Sequence, residues 1–406
     1  MQAANPSFNA LGENYYDIKL SNQLERIYKM IESKTNELPT DSPFIFGVSA
    51  KFDSWISGLV VALEVKKRRP NAICILGGIE EESAANALFQ EFDIFDYVIW
   101  GEGEIPLNLL TKKLLANEKN YSEIPRLLFR GYTYKEQESS PNEAIDNSGF
   151  LNFNEYPDIN YTSYFNYAKD IGKESIQLPI ETSRGCRWNK CNFCALSWGN
   201  LYRTQNIDNV VDQIRSYYLK YEIVRFFFVD NDTVGKKISQ FEELLDKLIS
   251  LTNELEVDFD FHTDILHLNF NKRIIKKLSL AGFKSVQIGY EGVSDGMLKK
   301  LNKSTTFADN LLFIKFAQKY DIEITISGLI IGIPNEVETD VYESTNNLHF
   351  LRFFLGKRRK ELQHTLSKLV LFYKTKFWQM TAQRERFNIN ILNDFFPKNF
   401  TKNESI

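Results

Sequence analysis

Two stretches of the chain alternate short apolar runs with segments of helical periodicity. In the first stretch, residues 44–112, the apolar runs lie at 44–48, 72–76 and 97–100. Continuous apolar runs between helices are typical of parallel strands that are covered on both faces. We therefore predict a small Rossmann-like α/β domain over residues 44–120, preceded by a helical and polar extension over residues 1–43.

The second stretch, residues 176–375, repeats the pattern over a longer distance. Its strand candidates lie at 176–182, 224–229, 257–261, 285–290, 322–331 and 368–373, with helical segments between them. An eight-stranded α/β barrel usually needs about 250 residues, so six units in this span indicate a partial (β/α)6 barrel. Residues 121–175 are poorly periodic and are predicted to be a linker, and residues 376–406 a C-terminal tail.

Composition and charge limit the class of protein. Hydrophobic residues make up 43% and charged residues 25%, which excludes a disordered or collagen-like chain. The net charge of −4 gives no overall field for nucleic acid or an anionic membrane. No signal peptide is visible, and no run approaches the ~20 apolar residues of a membrane-spanning helix. We expect a cytoplasmic protein without nucleic-acid or membrane partners.

Three of the four cysteines fall within nine residues. Cys186, Cys191 and Cys194 directly follow the first predicted barrel strand. The loops at the carboxyl ends of barrel strands carry the active sites of such folds. Three thiolates on one loop can hold three corners of a cubane iron–sulfur cluster and leave the fourth iron without a protein ligand.

Three other interpretations of these cysteines must be compared with a cluster. A zinc site needs a fourth ligand, and the nearest histidine in sequence is His262. A redox Cys-x-x-Cys pair would use Cys191 and Cys194 but leaves Cys186 unexplained. Purely structural, buried cysteines do not suit a loop rich in Arg, Asn, Lys and Gly. The spacing and location therefore favour an iron–sulfur cluster.

The cysteine loop resembles that of the radical S-adenosylmethionine (SAM) superfamily. Members of that family carry Cys-x3-Cys-x-aromatic-Cys after the first strand of a partial barrel, and here Phe193 precedes the last cysteine. The first gap, residues 187–190, is one residue longer than in the family. Three further segments resemble family motifs in the same order, namely 226–231, 287–291 and 329–336, and Lys303 also fits the pattern.

The resemblance implies cofactors and residues that bind them. It implies one [4Fe–4S] cluster held by the three cysteines, with SAM bound at the open iron. The positions that match family cofactor-binding motifs are Phe193, Arg203, Asp230, Gly289, Glu291, Gly332 and Pro334. The ends of strands two and three also bring Asp230, His262 and Asp264 to the same mouth of the barrel. No catalytic residue is assigned.

Residues 194–203 resemble radical enzymes that mature ribosomally made peptide natural products (RiPPs). That group often carries an N-terminal cobalamin-binding Rossmann domain, and residues 44–112, with Gly77-Gly78, resemble its second half. The cobalt-ligating Asp-x-His-x-x-Gly loop is absent, and no histidine precedes His262. We therefore do not expect cobalamin, and predict that the shortened domain is a scaffold or a peptide dock.

The expected function follows from this branch of the superfamily. We expect a radical SAM enzyme that reductively cleaves SAM and abstracts a hydrogen atom from a residue of a ribosomally made peptide, giving an epimerised, cross-linked or related product. The expected partners are the precursor peptide and an electron donor of the flavodoxin or ferredoxin type. Two alternatives stay open: a cobalamin-dependent radical SAM methyltransferase and a non-catalytic iron–sulfur partner subunit.

Overall fold

The computed structural model describes most of the chain, in two compact units. The described ranges are 13–37, 44–51, 54–132, 150–155, 158–194, 202–325, 327–355, 364–368 and 375–377. One unit extends to Phe150 and the other begins at Leu151. The finer limits of the five predicted segments stay predictions. No helix in the described ranges is both long and apolar enough to cross a membrane.

The first unit is a four-stranded sheet with helices. Its elements are α1 (Glu13–Asn36), β1 (Ile45–Ser49), α2 (Ser54–Arg68), β2 (Ile73–Ile79), α3 (Glu82–Glu91), β3 (Tyr97–Trp100), α4 (Glu104–Leu115) and β4 (Leu127–Phe129). The strand order is β1-β2-β3-β4, with the first three parallel and β4 antiparallel to β3. Apolar clusters lie on both faces, as the continuous apolar runs predict. The short strand β4 falls in the segment predicted to be a linker.

The second unit contains the barrel. Its elements are α5 (Thr162–Tyr167), β5 (Leu178–Ile180), β6 (Ser183–Arg184), β7 (Arg203–Thr204), α6 (Ile207–Tyr221), β8 (Arg225–Phe228), α7 (Ile238–Leu255), β9 (Asp260–Ile265), α8 (Lys272–Leu280), β10 (Phe283–Ile288), α9 (Asp295–Lys300), α10 (Phe307–Lys319), β11 (Glu323–Ile324), β12 (Ser327–Ile331), α11 (Glu338–Leu355) and β13 (His364–Lys368). Two 3₁₀ turns lie at Phe153–Glu155 and Lys173–Ser175.

The strands of the second unit form an open parallel barrel. Strands β5, β8, β9, β10 and β11 form one parallel sheet, and β12 pairs in parallel with β13. A backbone bridge between Glu291 and Leu329 joins β12 to the loop after β10. Counting β11 and β12 as one interrupted strand gives six parallel positions, so the predicted α/β fold class with a partial barrel is confirmed.

One face of the parallel sheet is covered by helices, and the other faces the inside of the barrel. Phe226, Phe228, Phe261 and Phe283 are buried in one apolar cluster together with residues of α6, α7, α8 and α10. The residues that alternate with the buried ones along β8 and β9 are only partly buried and lie on the opposite, inner face of the barrel. This alternation gives the inner face its polar side chains.

Three strands of the barrel depart most from their predicted limits. The third strand lies at 260–265 instead of 257–261, because the polar residues of its inner face interrupt the apolar run. The predicted strand 322–331 is split into β11 and β12. The sixth strand lies at 364–368, and residues 369–373 of its predicted span lie outside the described residues.

Candidate active site

The cysteine loop, residues 185–194, follows β6 and begins with a left-handed turn. Gly185 has φ of +84°, and Cys186, Cys191 and Cys194 are each partly exposed. Within the longer first gap, Asn189 also adopts a left-handed conformation, with φ of +42°. Asparagine tolerates this region better than most residues. A turn at Asn189 therefore accommodates the extra residue of the gap.

Hydrogen bonds fasten the cysteine loop to the segment after α9. The Trp188 indole N–H donates to the Asn302 carbonyl at 2.7 Å, and the Asn302 amide donates back to the Lys190 carbonyl at 2.6 Å. The Asn192 side chain donates to the Lys300 carbonyl at 2.8 Å. These bonds fix both gaps between the cysteines.

A buried ion pair anchors the same loop on its other side. Arg187 Nε lies 2.8 Å from Asp232 Oδ2, and the guanidinium also donates to the Leu266 carbonyl at 2.6 Å. The side chain of Asp232 is fully buried. Breaking a buried pair leaves an uncompensated charge, which is strongly destabilising. Asp232 and Asn302 were not predicted as site residues; their only sequence signal is that each adjoins a motif segment.

Lys303 and Glu291 form a second charged pair at the end of β10. Lys303 Nζ is 3.7 Å from Glu291 Oε1, and the lysine side chain is almost completely buried. A Cβ added at Gly289 would lie 2.7 Å from Lys303 Nζ and 3.1 Å from Glu291 Oε1, so the pair lies directly over this glycine. Glu291 has φ of +56°, a strained conformation that is often retained at functional sites.

The electrostatics of Cys191 connect this pair to the cysteine loop. Burial raises the pKa of the Cys191 thiol to about 12, and the thiols of Cys194 and Cys186 and the Glu291 carboxylate raise it further, whereas Lys303 lowers it. These five groups therefore share one neighbourhood. Burial also raises the pKa of Glu291, and Lys303 opposes that shift.

Three thiols on one fastened loop, with a buried ammonium nearby, fit an iron–sulfur cluster. Iron binds the deprotonated thiolate, and the positive charge of Lys303 favours that form. Within the described ranges, no three His, Cys, Asp or Glu side chains are arranged to hold a single metal ion. The donor set is one that suits a cubane with one open iron.

Four other predicted residues lie near the same end of the barrel. The ring of Phe193 packs against an apolar cluster that includes Met297 and Ile333. Gly332 has φ of +77°, and its N–H donates to Glu336 Oε2 at 2.9 Å. Pro334 is buried in the turn that follows β12. Arg203, which lies on strand β7, donates a hydrogen bond to the Leu151 carbonyl at 2.9 Å. Their contacts with a cofactor stay predictions.

Asp230 has a positioning role in this structure. Its carboxylate accepts hydrogen bonds from the Thr182 N–H at 2.7 Å, the Ser183 N–H at 2.8 Å and the Thr233 hydroxyl at 2.9 Å, as well as from the Thr182 hydroxyl. Burial nevertheless raises the pKa of Asp230 to about 6. The residue ties the end of β5 to the loop after β8, and a direct cofactor contact stays a prediction.

Comparison with known proteins supports the superfamily. Residues 180–348 match the family model of the Radical SAM superfamily. The chain is 25% identical over 324 residues to the anaerobic magnesium-protoporphyrin IX monomethyl ester cyclase of Cereibacter sphaeroides, covering 78% of this chain and 50% of the cyclase. It is 24% identical over 306 residues to an uncharacterized methyltransferase of Pyrococcus horikoshii, covering 74% of this chain and 62% of the relative. The chain thus spans only about half to three fifths of these relatives.

Solved structures share the fold over most of the chain. The radical SAM methyltransferase TsrM from Kitasatospora setae, bound to tryptophan and a SAM analogue, matches with a TM-score of 0.66 at 16% identity, covering 90% of this chain and 69% of that one. The cobalamin-dependent SAM radical enzyme OxsB, bound to aqua-cobalamin and SAM, matches with a TM-score of 0.65 at 17% identity, covering 90% and 55%.

These matches correct the expectation about cobalamin. Solved structures of TsrM and OxsB contain cobalamin, and TsrM also a [4Fe–4S] cluster. A match over 90% of the 406 residues leaves only about 40 uncovered, so it must extend into the first unit. The expectation that cobalamin plays no part was therefore wrong, because it rested on a missing histidine loop alone.

Proposed function

We propose that this chain, in which residues 180–348 form a radical SAM domain, is a cobalamin-dependent radical SAM methyltransferase. The observation that carries the proposal is the combination of two features in one chain. One is the fastened loop with three cysteines. The other is a Rossmann-like unit whose sheet has an open floor at the carboxyl ends of its strands.

The open floor is a stretch of sheet surface with almost no side chains, and it consists of Gly47, Ser49 and Gly77. In the parallel register of β1 and β2, Gly47 pairs with Ile75 and Ser49 with Gly77, so these residues share one face. A Cβ at Gly47 would meet no atom within 4 Å, and one at Gly77 would meet none closer than 3.9 Å. Ligands of open α/β sheets bind at this edge of the strands. These residues fit a large ligand such as cobalamin.

Gly78, the residue after Gly77 in β2, lies close to the chain at the end of β1. It has φ of +82°, and an added Cβ would lie 3.0 Å from both the Ala50 nitrogen and the Ser49 hydroxyl. A larger residue would be strained by conformation and by contact. With no histidine before His262, this unit offers cobalt no imidazole ligand, so the proposal is for cobalamin bound without histidine ligation.

The chain's own residues bind and orient the groups that carry the chemistry. When bound, the cluster and SAM supply one-electron chemistry and a methyl group, and cobalamin a methyl carrier. Lys303 offers an ammonium to a carboxylate, and Glu291 a carboxylate to an amine or hydroxyl, at the position where SAM would lie beside the open iron.

The peptide substrate and the flavodoxin- or ferredoxin-type donor stay predictions. They rest on the resemblance of residues 194–203, of which 195–201 lie outside the described residues. The alternative of a methyltransferase has the additional support of two cobalamin-containing structures with this fold.

We expect the reconstituted protein to retain about one cobalamin per chain. Anaerobically reconstituted protein is mixed with hydroxocobalamin and desalted, and cobalamin is quantified by its absorbance. Gly47→Val fills the open floor without a clash and with a residue that favours strands, so it should lower retention at least about tenfold. Gly328→Val, at an equally open position in β12, should retain cobalamin like the wild type. A colourless wild-type protein, or full retention by Gly47→Val, would contradict the proposal.

A further inference from the structure

The inner face of the barrel carries a row of side chains that the proposed cofactor contacts do not use. We define this row as Phe227, His262, Asp264, Ser285 and Gln287. Phe227 pairs with His262 and His262 with Ser285, while Asp264 pairs with Gln287 one step closer to the carboxyl ends. The residues that flank the row on β8 and β9, together with Val286 and Ile288 on β10, are buried on the opposite face, so the row faces the interior of the barrel.

Two levels of the row differ in how their polar groups are satisfied. At the lower level, His262 Nδ1 lies 2.7 Å from the Ser285 hydroxyl, and its ring centroid is 4.9 Å from that of Phe227. At the upper level, Asp264 Oδ1 is buried and has no hydrogen-bond partner among the described residues. Burial raises the pKa of Asp264 to about 6. Buried polar atoms are nearly always paired, so an orphaned carboxyl oxygen indicates a missing partner.

The orphaned oxygen lies close to the candidate SAM site. Gln287, which is opposite Asp264, is two residues before Gly289, and Gly289 lies under the Lys303–Glu291 pair. Two residues along a strand span roughly 6.6 Å. A molecule that contacts Asp264 and extends toward the carboxyl ends of the strands would therefore approach that pair.

We propose that Asp264 binds the substrate and selects one that carries a protonated amine beside an apolar group. An ionised carboxylate only accepts hydrogen bonds, and an ammonium satisfies both its charge and its lone pairs. Among the described residues, no ion pair includes Asp264, and a cationic ligand would supply the partner that its orphaned oxygen lacks. The ring of Phe227, one level lower on the same face, provides the apolar contact. The inference rests on the proposed function, since it assigns the substrate class of that site.

Binding of a small probe tests the proposal without knowledge of the natural substrate. The probe is 2-phenylethylamine, compared with its neutral isostere 2-phenylethanol, and binding to the reconstituted full chain is measured at pH 8 by ligand-observed NMR. The wild type should bind the amine at least tenfold more tightly than the alcohol. Asp264→Asn should remove that preference. Asp260→Asn is the matched control, because Asp260 lies on the same strand and face but is already paired with Arg225 at 2.9 Å.

The outcomes separate this inference from the proposed function. Equal binding of amine and alcohol, no binding of the amine, or a preference that survives Asp264→Asn would overturn the inference. Cobalamin retention and the spectrum of the cluster are measured on the same samples. They should be unchanged in Asp264→Asn, and their failure in the wild type would contradict the proposed function instead.

Discussion

Replacing any one of Cys186, Cys191 or Cys194 by alanine is expected to abolish cluster binding and, with it, SAM cleavage. In the proposed cluster each thiolate would hold a different iron, and the other two ligands could not compensate for its loss. We expect less than about a tenth of the wild-type iron, and a loss of SAM cleavage on the order of a thousandfold or more. Iron and sulfide analysis and product quantitation after anaerobic reconstitution measure both effects.

Cys74 provides the matched control for the cysteine loop. It is completely buried in β2 of the first unit and is not part of the cysteine loop. Cys74→Ala leaves a small cavity that costs about 1 kcal/mol of stability but should not change the iron content. The assignment of ligands would be wrong if a loop variant kept its full cluster, or if Cys74→Ala lost as much iron as the loop variants.

Glu291→Gln is expected to weaken SAM binding while the cluster stays intact. The change keeps the shape of the side chain but removes the charge that balances the buried Lys303 and could pair with a donor group of SAM. We expect the dissociation constant of SAM to rise at least about tenfold, which corresponds to about 1.4 kcal/mol. Equilibrium dialysis with the reconstituted protein measures the constant.

Two further variants define what the Glu291 result means. Gly289→Ala places a Cβ 2.7 Å from Lys303 Nζ, and because this end of a flexible side chain can move, the fold should survive while the pair is displaced. It should therefore weaken SAM binding as Glu291→Gln does. Glu323→Gln, at an exposed position on β11, should have no effect. An unchanged dissociation constant for Glu291→Gln at full cluster content would rule out the role assigned to Glu291.

The fold was predictable where one physical signal dominated a segment. Continuous apolar runs such as 226–228 located strands because both the helix-facing and inner residues are aromatic there. The limits of β9 were misplaced because His262 and Asp264, which face the inside of the barrel, interrupt the apolar pattern. The polar residues that interrupt the apolar run are therefore those of the inner face.

The cysteine loop was predictable from spacing, whereas its supports were not. Asn302 contacts the loop from more than a hundred positions away in sequence, and Asp232 pairs with Arg187 across the barrel end. Nothing in the local pattern at Asn302 or Asp232 indicates a partner so distant. The longer gap is accommodated by a left-handed turn at Asn189, and this turn is likewise visible only in the backbone conformation.

The expectation about cobalamin failed for a different reason. The missing histidine loop is a side-chain signal for one mode of ligation, while the open floor at Gly47 and Gly77 is a backbone feature that a motif search does not register. Glycines that leave space beside a sheet edge provide room for a ligand without any ionisable residue. The absence of one motif is therefore weak evidence against a ligand of this size.

The central claim is that the three cysteines leave one iron open, where SAM binds. Electron paramagnetic resonance of the reduced, reconstituted protein, recorded before and after addition of SAM, tests it most directly. The account predicts the signal of one [4Fe–4S]⁺ cluster per chain, with g values that shift when SAM is added because a new ligand reaches the open iron. A cluster signal that SAM leaves unchanged, or reconstituted protein that takes up no iron, would contradict it.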